Sequence, residues 1–391
     1  MPRSHHTYCV AVAPLSKPPL APAETFQTAR TEELRFHLLL LTAAVLIGAL
    51  LQVDGPPWLR AIFEAVRLDS LAGLLNLLLA FLASILAHEL GHLCAALYLD
   101  FTFMGAALGP FQLDVWHSKF IVCFRAGQWT RCSVSAIPRG LDDSWRGRML
   151  TVIAAGPIVS LLCLLASACL ALNQTAPVSF WSSCAEVNFF LAILGLVPNS
   201  RSAAVRNDAA FFLALWRNAA DAQDVLRCHQ AIELTLRGLR PGDFPQPLLH
   251  ELSSFTGRPY TRLIVAQRMV EWAIDSGDIS LASAWDEAAL SASVHCGPRP
   301  ANRALAESAC FDVLFREDHP SALHKFAKVK FALLFPPSLA ERAHAAYLVA
   351  RKLSEQASGH ILRAQYHLPH GDCYYNFERS LLDRLHRIVL S

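Results

Sequence analysis

The sequence predicts a mainly α-helical protein: a polytopic membrane core of about four spans with a small β-hairpin element, followed by a cytoplasmic all-α domain. Three observations predict it. Four apolar runs of near-spanning length crowd the N-terminal half, at residues 38–53, 71–99, 149–172 and 178–197. Between the second and third runs, the polarity alternates residue by residue, as in strands. From about Asn218 onward, charges rise and apolar residues fall into helical spacing.

Bulk composition bounds the answer. The chain has 391 residues, 53% hydrophobic and only 17% charged. That mix is too apolar for an ordinary soluble protein. The net charge of +2 gives no basis for a nucleic-acid partner. The 11 cysteines include no C-x-x-C pair, which argues against a zinc ribbon or a disulfide framework. Residues 1–33, rich in Pro, Ala and Thr, are expected to form a disordered tail.

Residues 34–216 form the expected membrane core. Each apolar run approaches the ~20 residues that cross a bilayer as a helix. A further apolar stretch, 203–216, follows a break at Pro198 and completes the fourth span. Lys and Arg set the orientation. Arg3, Lys17, Arg30 and Arg35 precede the first run, and Lys119, Arg125, Arg131, Arg139, Arg146 and Arg148 follow the second. The opposite side offers only Arg60 and Arg67. This bias puts both termini in the cytoplasm, and makes the chain a multi-pass protein of the cell membrane.

The loop after the second span contains Phe111-Gln-Leu-Asp-Val-Trp116 and Lys119-Phe-Ile-Val-Cys-Phe124, with a turn expected at His117-Ser118. Such a hairpin either caps the span or offers an edge strand to an extended substrate. Residues 217–391 form the expected helical domain, punctuated at Pro241-Gly242, Gly257-Arg-Pro259, Gly297-Pro-Arg-Pro300 and Pro336-Pro337. Residues 263–276 with 281–293, and 322–334 with 338–357, read as helical hairpins. The pattern is loosely repeat-like without a regular period, and suits a protein partner.

Chemistry concentrates at His88-Glu89-Leu90-Gly91-His92, inside the second apolar run. Two His four residues apart share a helix face and can grip one zinc ion, while Glu89 can act as general base. Titratable groups are costly at membrane depth, so three at ligand spacing point to a site. His88 lies about 27 Å of helical rise into the run, toward its cytoplasmic end. Catalytic zinc takes a third protein ligand. Glu186, Asp208, Asp100 and Asp114 are the candidates. Asp208 is favoured, because it follows the Pro198 break and opens an apolar helical stretch. An Asp at a helix start can also be a simple cap.

Three motifs together make the chain resemble the site-2 protease family of intramembrane zinc metalloproteases. They are His88-Glu-Leu-Gly-His92, Ala154-Ala-Gly-Pro-Ile-Val-Ser160, and Gly195-Leu-Val-Pro198 leading to Asn207-Asp208-Ala209. The family pattern is H-E-x-x-H, then A-G-P-x-x-N, then N-x-x-P followed by D-G. Ser160 and Gly195 stand where that pattern has Asn, and Ala209 where it has Gly. The resemblance implies that His88, His92 and Asp208 bind Zn2+ and that Glu89 activates water. It further implies that the substrate is a membrane-anchored protein. Asn188 and Asn199 are candidates for holding substrate or the oxyanion. Two rival expectations differ in kind: a membrane-anchored adaptor with a degenerate site, and another type of membrane zincin using Glu186 as its ligand.

Overall fold

The computed structural model describes residues 71–116, 119–124, 132–140, 144–173, 180–198, 207–255, 257–334, 336–368 and 373–390. The expected first span, the N-terminal tail, the His117-Ser118 turn and Asn199 lie outside the described residues.

Helix α1, Leu71–Tyr98, takes up the second apolar run. Its 28 residues rise about 42 Å, more than the ~30 Å hydrocarbon core of a bilayer. Helix α2, Trp145–Leu172, is equally long and also apolar. These two are long and apolar enough to cross a membrane. Helix α3, Phe180–Leu196, is apolar but has only 17 residues, about 25 Å of rise. Four spans are therefore not established among the described residues. The outward faces of α1 and α2 expose Leu74, Leu78, Leu82, Leu86, Leu162 and Leu165. A water-facing helix would carry polar residues there.

Between α1 and α2 the chain builds a four-stranded antiparallel sheet, in place of the expected single hairpin. Strands β1 (Phe101–Leu108), β2 (Phe111–Trp116), β3 (Lys119–Phe124) and β4 (Cys132–Pro138) lie in the order β3-β2-β1-β4. The β2–β3 pair is the one the alternation predicts, with Phe111 opposite Phe124 and Val115 opposite Phe120. Strand β1 buries Phe101, Gly105 and Ala107, and its register against β4 shifts between Phe103 and Gly105, which breaks any simple alternation. Asp100, in a left-handed conformation (φ 58°), turns the chain from α1 into β1. Its carbonyl accepts the Arg139 N–H at 3.0 Å, which ties the end of β4 to that turn.

Helix α4, Asp208–Trp216, is the described part of the expected 203–216 stretch. Arg146, counted in sequence as a cytoplasmic charge, donates to the carbonyls of Leu215 at 2.8 Å and Trp216. It thus satisfies carbonyls that the end of α4 leaves open. Arg148 donates to the Arg139 carbonyl at 2.9 Å, binding α2 to the sheet.

Helix α5, Ala220–Leu236, belongs to two cores at once. Ala222 and Leu226 pack with Ala96, Phe101, Met149, Ile153 and Leu215 of the N-terminal helices and sheet. Cys228, Ala231 and Leu234 pack into the helical domain. There follow α6 (Gln246–Ser253), α7 (Pro259–Asp275), α8 (Ile279–Ser293), α9 (Pro298–Phe311), α10 (His319–Phe326), α11 (Pro337–Ala350), α12 (Ser354–Tyr366) and α13 (Cys373–Leu390). Helices α7 and α8 are the first expected hairpin. The second differs. Residues 322–334 include only the end of α10 and a 3-10 turn, and 338–357 splits at Lys352, whose φ of 60° ends α11. Buried alanines at 282, 289, 343, 345 and 346 permit the close helix approach their spacing suggests.

Buried ion pairs stitch this domain together. Arg342, 3% exposed, contacts Glu307 at 2.5 Å and Glu378 at 2.6 Å. Asp312, fully buried, contacts Arg316 at 2.7 Å and Lys325 at 2.6 Å. Removing one partner leaves uncompensated buried charge. Arg342→Ala is expected to destabilise the helical domain by about 3–5 kcal/mol, read as a lower urea midpoint by tryptophan fluorescence. Burial also pushes the Glu271 carboxyl from 4.5 up to about 7, against the pull of Arg268. A raised folded pKa favours the neutral form in the folded state. This contribution is therefore full below about 4.5 and is lost as pH rises through about 7. Glu271→Gln should flatten that part of the stability–pH curve, measured as the midpoint difference from wild type.

Candidate metal centre

The second turn from the end of α1 carries the H-E-x-x-H residues, so His88 and His92 stack along one helix face. Their ring centroids lie 4.9 Å apart with planes at 80°. Helix α4 brings Asp208 from 120 residues away. The Asp208 Oδ2 lies 3.2 Å from His88 Nε2 and 3.4 Å from His92 Nε2, and the two Nε2 atoms are 3.2 Å apart. A tetrahedral zinc ion with bonds of about 2.0–2.1 Å spaces its ligand atoms by about 3.3 Å. The triangle fits that ion without adjustment.

The other ring nitrogens explain why the Nε2 atoms face inward. His92 Nδ1 donates to the Val152 carbonyl at 2.8 Å, and His88 Nδ1 shares a hydrogen bond with the Ser160 hydroxyl at 2.9 Å. With its proton on Nδ1, the His92 ring presents a lone pair at Nε2. Two ring nitrogens and a carboxylate oxygen thus converge on one point, an arrangement that could hold a metal ion. The donor set of two imidazoles and one carboxylate suits zinc.

Helix α2 is the cradle. Val152, Gly156 and Ser160 recur every four residues along one face of it. A Cβ on Gly156 would lie 2.2 Å from His92 Nε2, so only glycine leaves room for the ring. Gly91 plays the complementary part, since a Cβ there would meet the Ala155 carbonyl at 2.9 Å and Val159 at 2.8 Å. Ser160, one of the departures from the resembled pattern, is fully buried and orients His88.

Asp208 owes its place to Asn207. Asn207 is the N-cap of α4, its Oδ1 accepting the Ala210 N–H at 3.1 Å. Its amide nitrogen donates to the Leu194 and Val197 carbonyls, both at 2.7 Å, at the end of α3. Asp208 is therefore the first helical residue rather than the cap, and its carboxylate is free to turn to the imidazoles. Sequence reasoning passed over Asn207 and Gly156 as site residues; an Asn-Asp pair at a helix start was the available signal for the first.

The remaining candidates fall elsewhere. Among the described residues, the metal-competent group consists of His88, His92 and Asp208, with their ligand atoms within 4.8 Å of one another; Glu186 is not part of it. Glu186 is buried on α3. Asn188 is 2% exposed and donates to Ser84 Oγ and the Cys184 carbonyl, both at 2.8 Å. The Ser84 bond links α1 to α3, and the Cys184 bond lies within α3.

A cavity of about 590 Å³ opens on the triangle. Glu89, adjoining His88, faces it, with the Val134 backbone beside its carboxylate. Residues 133–136 of β4 form the opposite wall, joined by His229 of α5. The sheet edge bordering the site is therefore β4, while β2 and β3 lie on the other side of β1. A second, more apolar cavity of about 240 Å³ lies between α2 and α4 and shares Ile153, Gly195 and Asp208 with the first.

Comparison with protein-family models, with curated proteins and with solved structures gives no match for this chain. The site stands on its own geometry.

Loss of the Ser160 hydroxyl frees the His88 ring. Ser160→Ala is expected to weaken zinc binding about 10- to 100-fold in a chelator competition. Asp208→Ala should lose stoichiometric zinc, whereas Glu186→Ala should retain it, as read by metal analysis of the purified protein.

Proposed function

We propose that this chain is an intramembrane zinc metalloendopeptidase of the site-2 protease type, which cuts membrane-anchored proteins. One observation carries the reading. Three zinc-competent ligand atoms form a triangle of 3.2–3.4 Å beside a glutamate, on a helix whose outer face is apolar.

Bound zinc would be held by His88, His92 and Asp208, where it lowers the pKa of water and polarises the scissile carbonyl. Glu89 takes the proton of the attacking water and delivers it to the departing amine. Asp208, set by Asn207, balances the positive charge of the site. Substrate backbone within a membrane helix is already hydrogen-bonded, so it must unwind locally before attack. Strand β4 suits that need, because it is an edge of the sheet and lines the cavity. An unwound segment can pair with it, backbone to backbone. The apolar cavity beside Asp208 gives a lipid-side approach for a substrate helix. The exposed face of β2–β3, with Phe111, Phe120, Val122 and Phe124, suits a bilayer interface.

The same reading makes the chain a multi-pass protein of the cell membrane, with both termini in the cytoplasm, by the distribution of Lys and Arg. Its substrate would be a single-span protein, often one already trimmed by another protease, within regulated intramembrane proteolysis. The helical domain would engage a protein partner.

Glu89→Gln should keep one zinc ion per chain and lose cleavage of a single-span membrane reporter by a factor of about 10³ or more. Undiminished cleavage by that variant overturns the reading.

A further inference from the structure

We propose that His229 is a catalytic residue of this site, donating a hydrogen bond from its imidazole N–H to the substrate carbonyl oxygen as that oxygen becomes the tetrahedral oxyanion. The inference rests on the peptidase reading and adds a group that the three motifs do not contain.

Helix α5 presents Ala222, Leu226, His229 and Glu233 along one stripe, at spacings of four, three and four residues. The stripe is anchored on both sides of His229. Ala222 and Leu226 are buried against Met149, Ile153 and Leu215. Glu233 accepts the Gly140 N–H at 3.3 Å, just beyond β4. His229 is thereby fixed over the metal cavity, whose lining it shares with His88, Glu89, His92 and Asp208. It is not one of the converging ligand atoms. It therefore meets whatever occupies the cavity rather than the cation.

Its Nδ1 is buried with no hydrogen-bond partner among the described residues. A buried polar atom left unpaired costs folding about 1–3 kcal/mol. Burial pushes the ring down to about 4, so it is neutral at neutral pH. A neutral imidazole has one N–H to donate and no charge to repel the cation. Ser160 holds His88, Asn188 bonds Ser84, and Asn207 caps α4, which leaves the Ser133 and Ser135 hydroxyls of β4 as the rival neutral donors on the cavity wall.

The step balances. Water oxygen bonds to the carbonyl carbon, the carbonyl π pair moves to oxygen, and Glu89 takes the water proton. The oxyanion accepts the His229 N–H hydrogen bond without proton transfer. The C–N bond then breaks as the oxyanion reforms the carbonyl, and Glu89 returns its proton to the amine.

The test uses the full chain in detergent micelles with a single-span reporter and with a phosphinic peptide, a tetrahedral mimic. His229→Ala is expected to lower kcat about 100-fold, with KM and zinc content unchanged. Affinity for the phosphinic peptide should fall by the same factor. Affinity for intact reporter, measured in the Glu89→Gln background, should hold. His229→Asn and His229→Gln each restore an amide donor, near Nδ1 and Nε2 respectively, and one of them should recover part of kcat. Wild-type kcat in His229→Ala overturns the proposal, as does an equal loss of affinity for reporter and phosphinic peptide. Loss of kcat in a Ser133→Ala, Ser135→Ala double variant, with His229→Ala unaffected, would also overturn it, by moving the donor to β4. Equal cleavage by wild type and Glu89→Gln would overturn the peptidase reading itself, and this inference with it.

Discussion

Two imidazole nitrogens and a carboxylate oxygen are held within 3.4 Å of each other inside an apolar set of helices. Such groups repel unless a proton or a metal ion sits among them. The rest of the core can be understood as the scaffold that enforces this convergence. It fixes the orientation of each ring, the approach of α1 to α2, and the position at which α4 begins.

Helix α2 supplies most of that enforcement. Its Val152–Gly156–Ser160 face gives His92 an acceptor, gives the ring space, and gives His88 its second partner. The absence of a side chain at Gly156 matters as much as the hydroxyl at Ser160. Asn207 performs the equivalent task at the other end of the site. By spending its amide on the end of α3 and its oxygen on the start of α4, it joins these two helices and sets Asp208 beside the rings.

The helical domain is not a separate appendage. Helix α5 packs partly against the helices and sheet that hold the site and partly into the helical domain that follows. The ion pairs of Arg342 and Asp312 stiffen the domain at its centre.

Much of the site was legible in the sequence because its signals are local. His88 and His92 share a face through helix periodicity alone, and Asp208 was marked by the break before it and the apolar stretch after it. The second and third apolar runs became α1 and α2, and the alternation at 111–124 became β2 and β3. What stayed hidden depends on contacts between distant segments. Strand β1 carries no simple alternation; the roles of Gly156 and Ser160 exist only when α2 lies against α1; and a lone histidine at 229 is silent until α5 docks beside β4. The sequence by itself determined which side chains could bind a metal and roughly how deep they lie, since spacing and hydropathy are properties of a single helix. Tertiary packing alone decided that Asp208, and not Glu186, lies beside the two imidazoles, that Asn188 bonds Ser84 of α1, and that β4 is the edge beside the site, because each of these is a distance between elements that no local periodicity encodes.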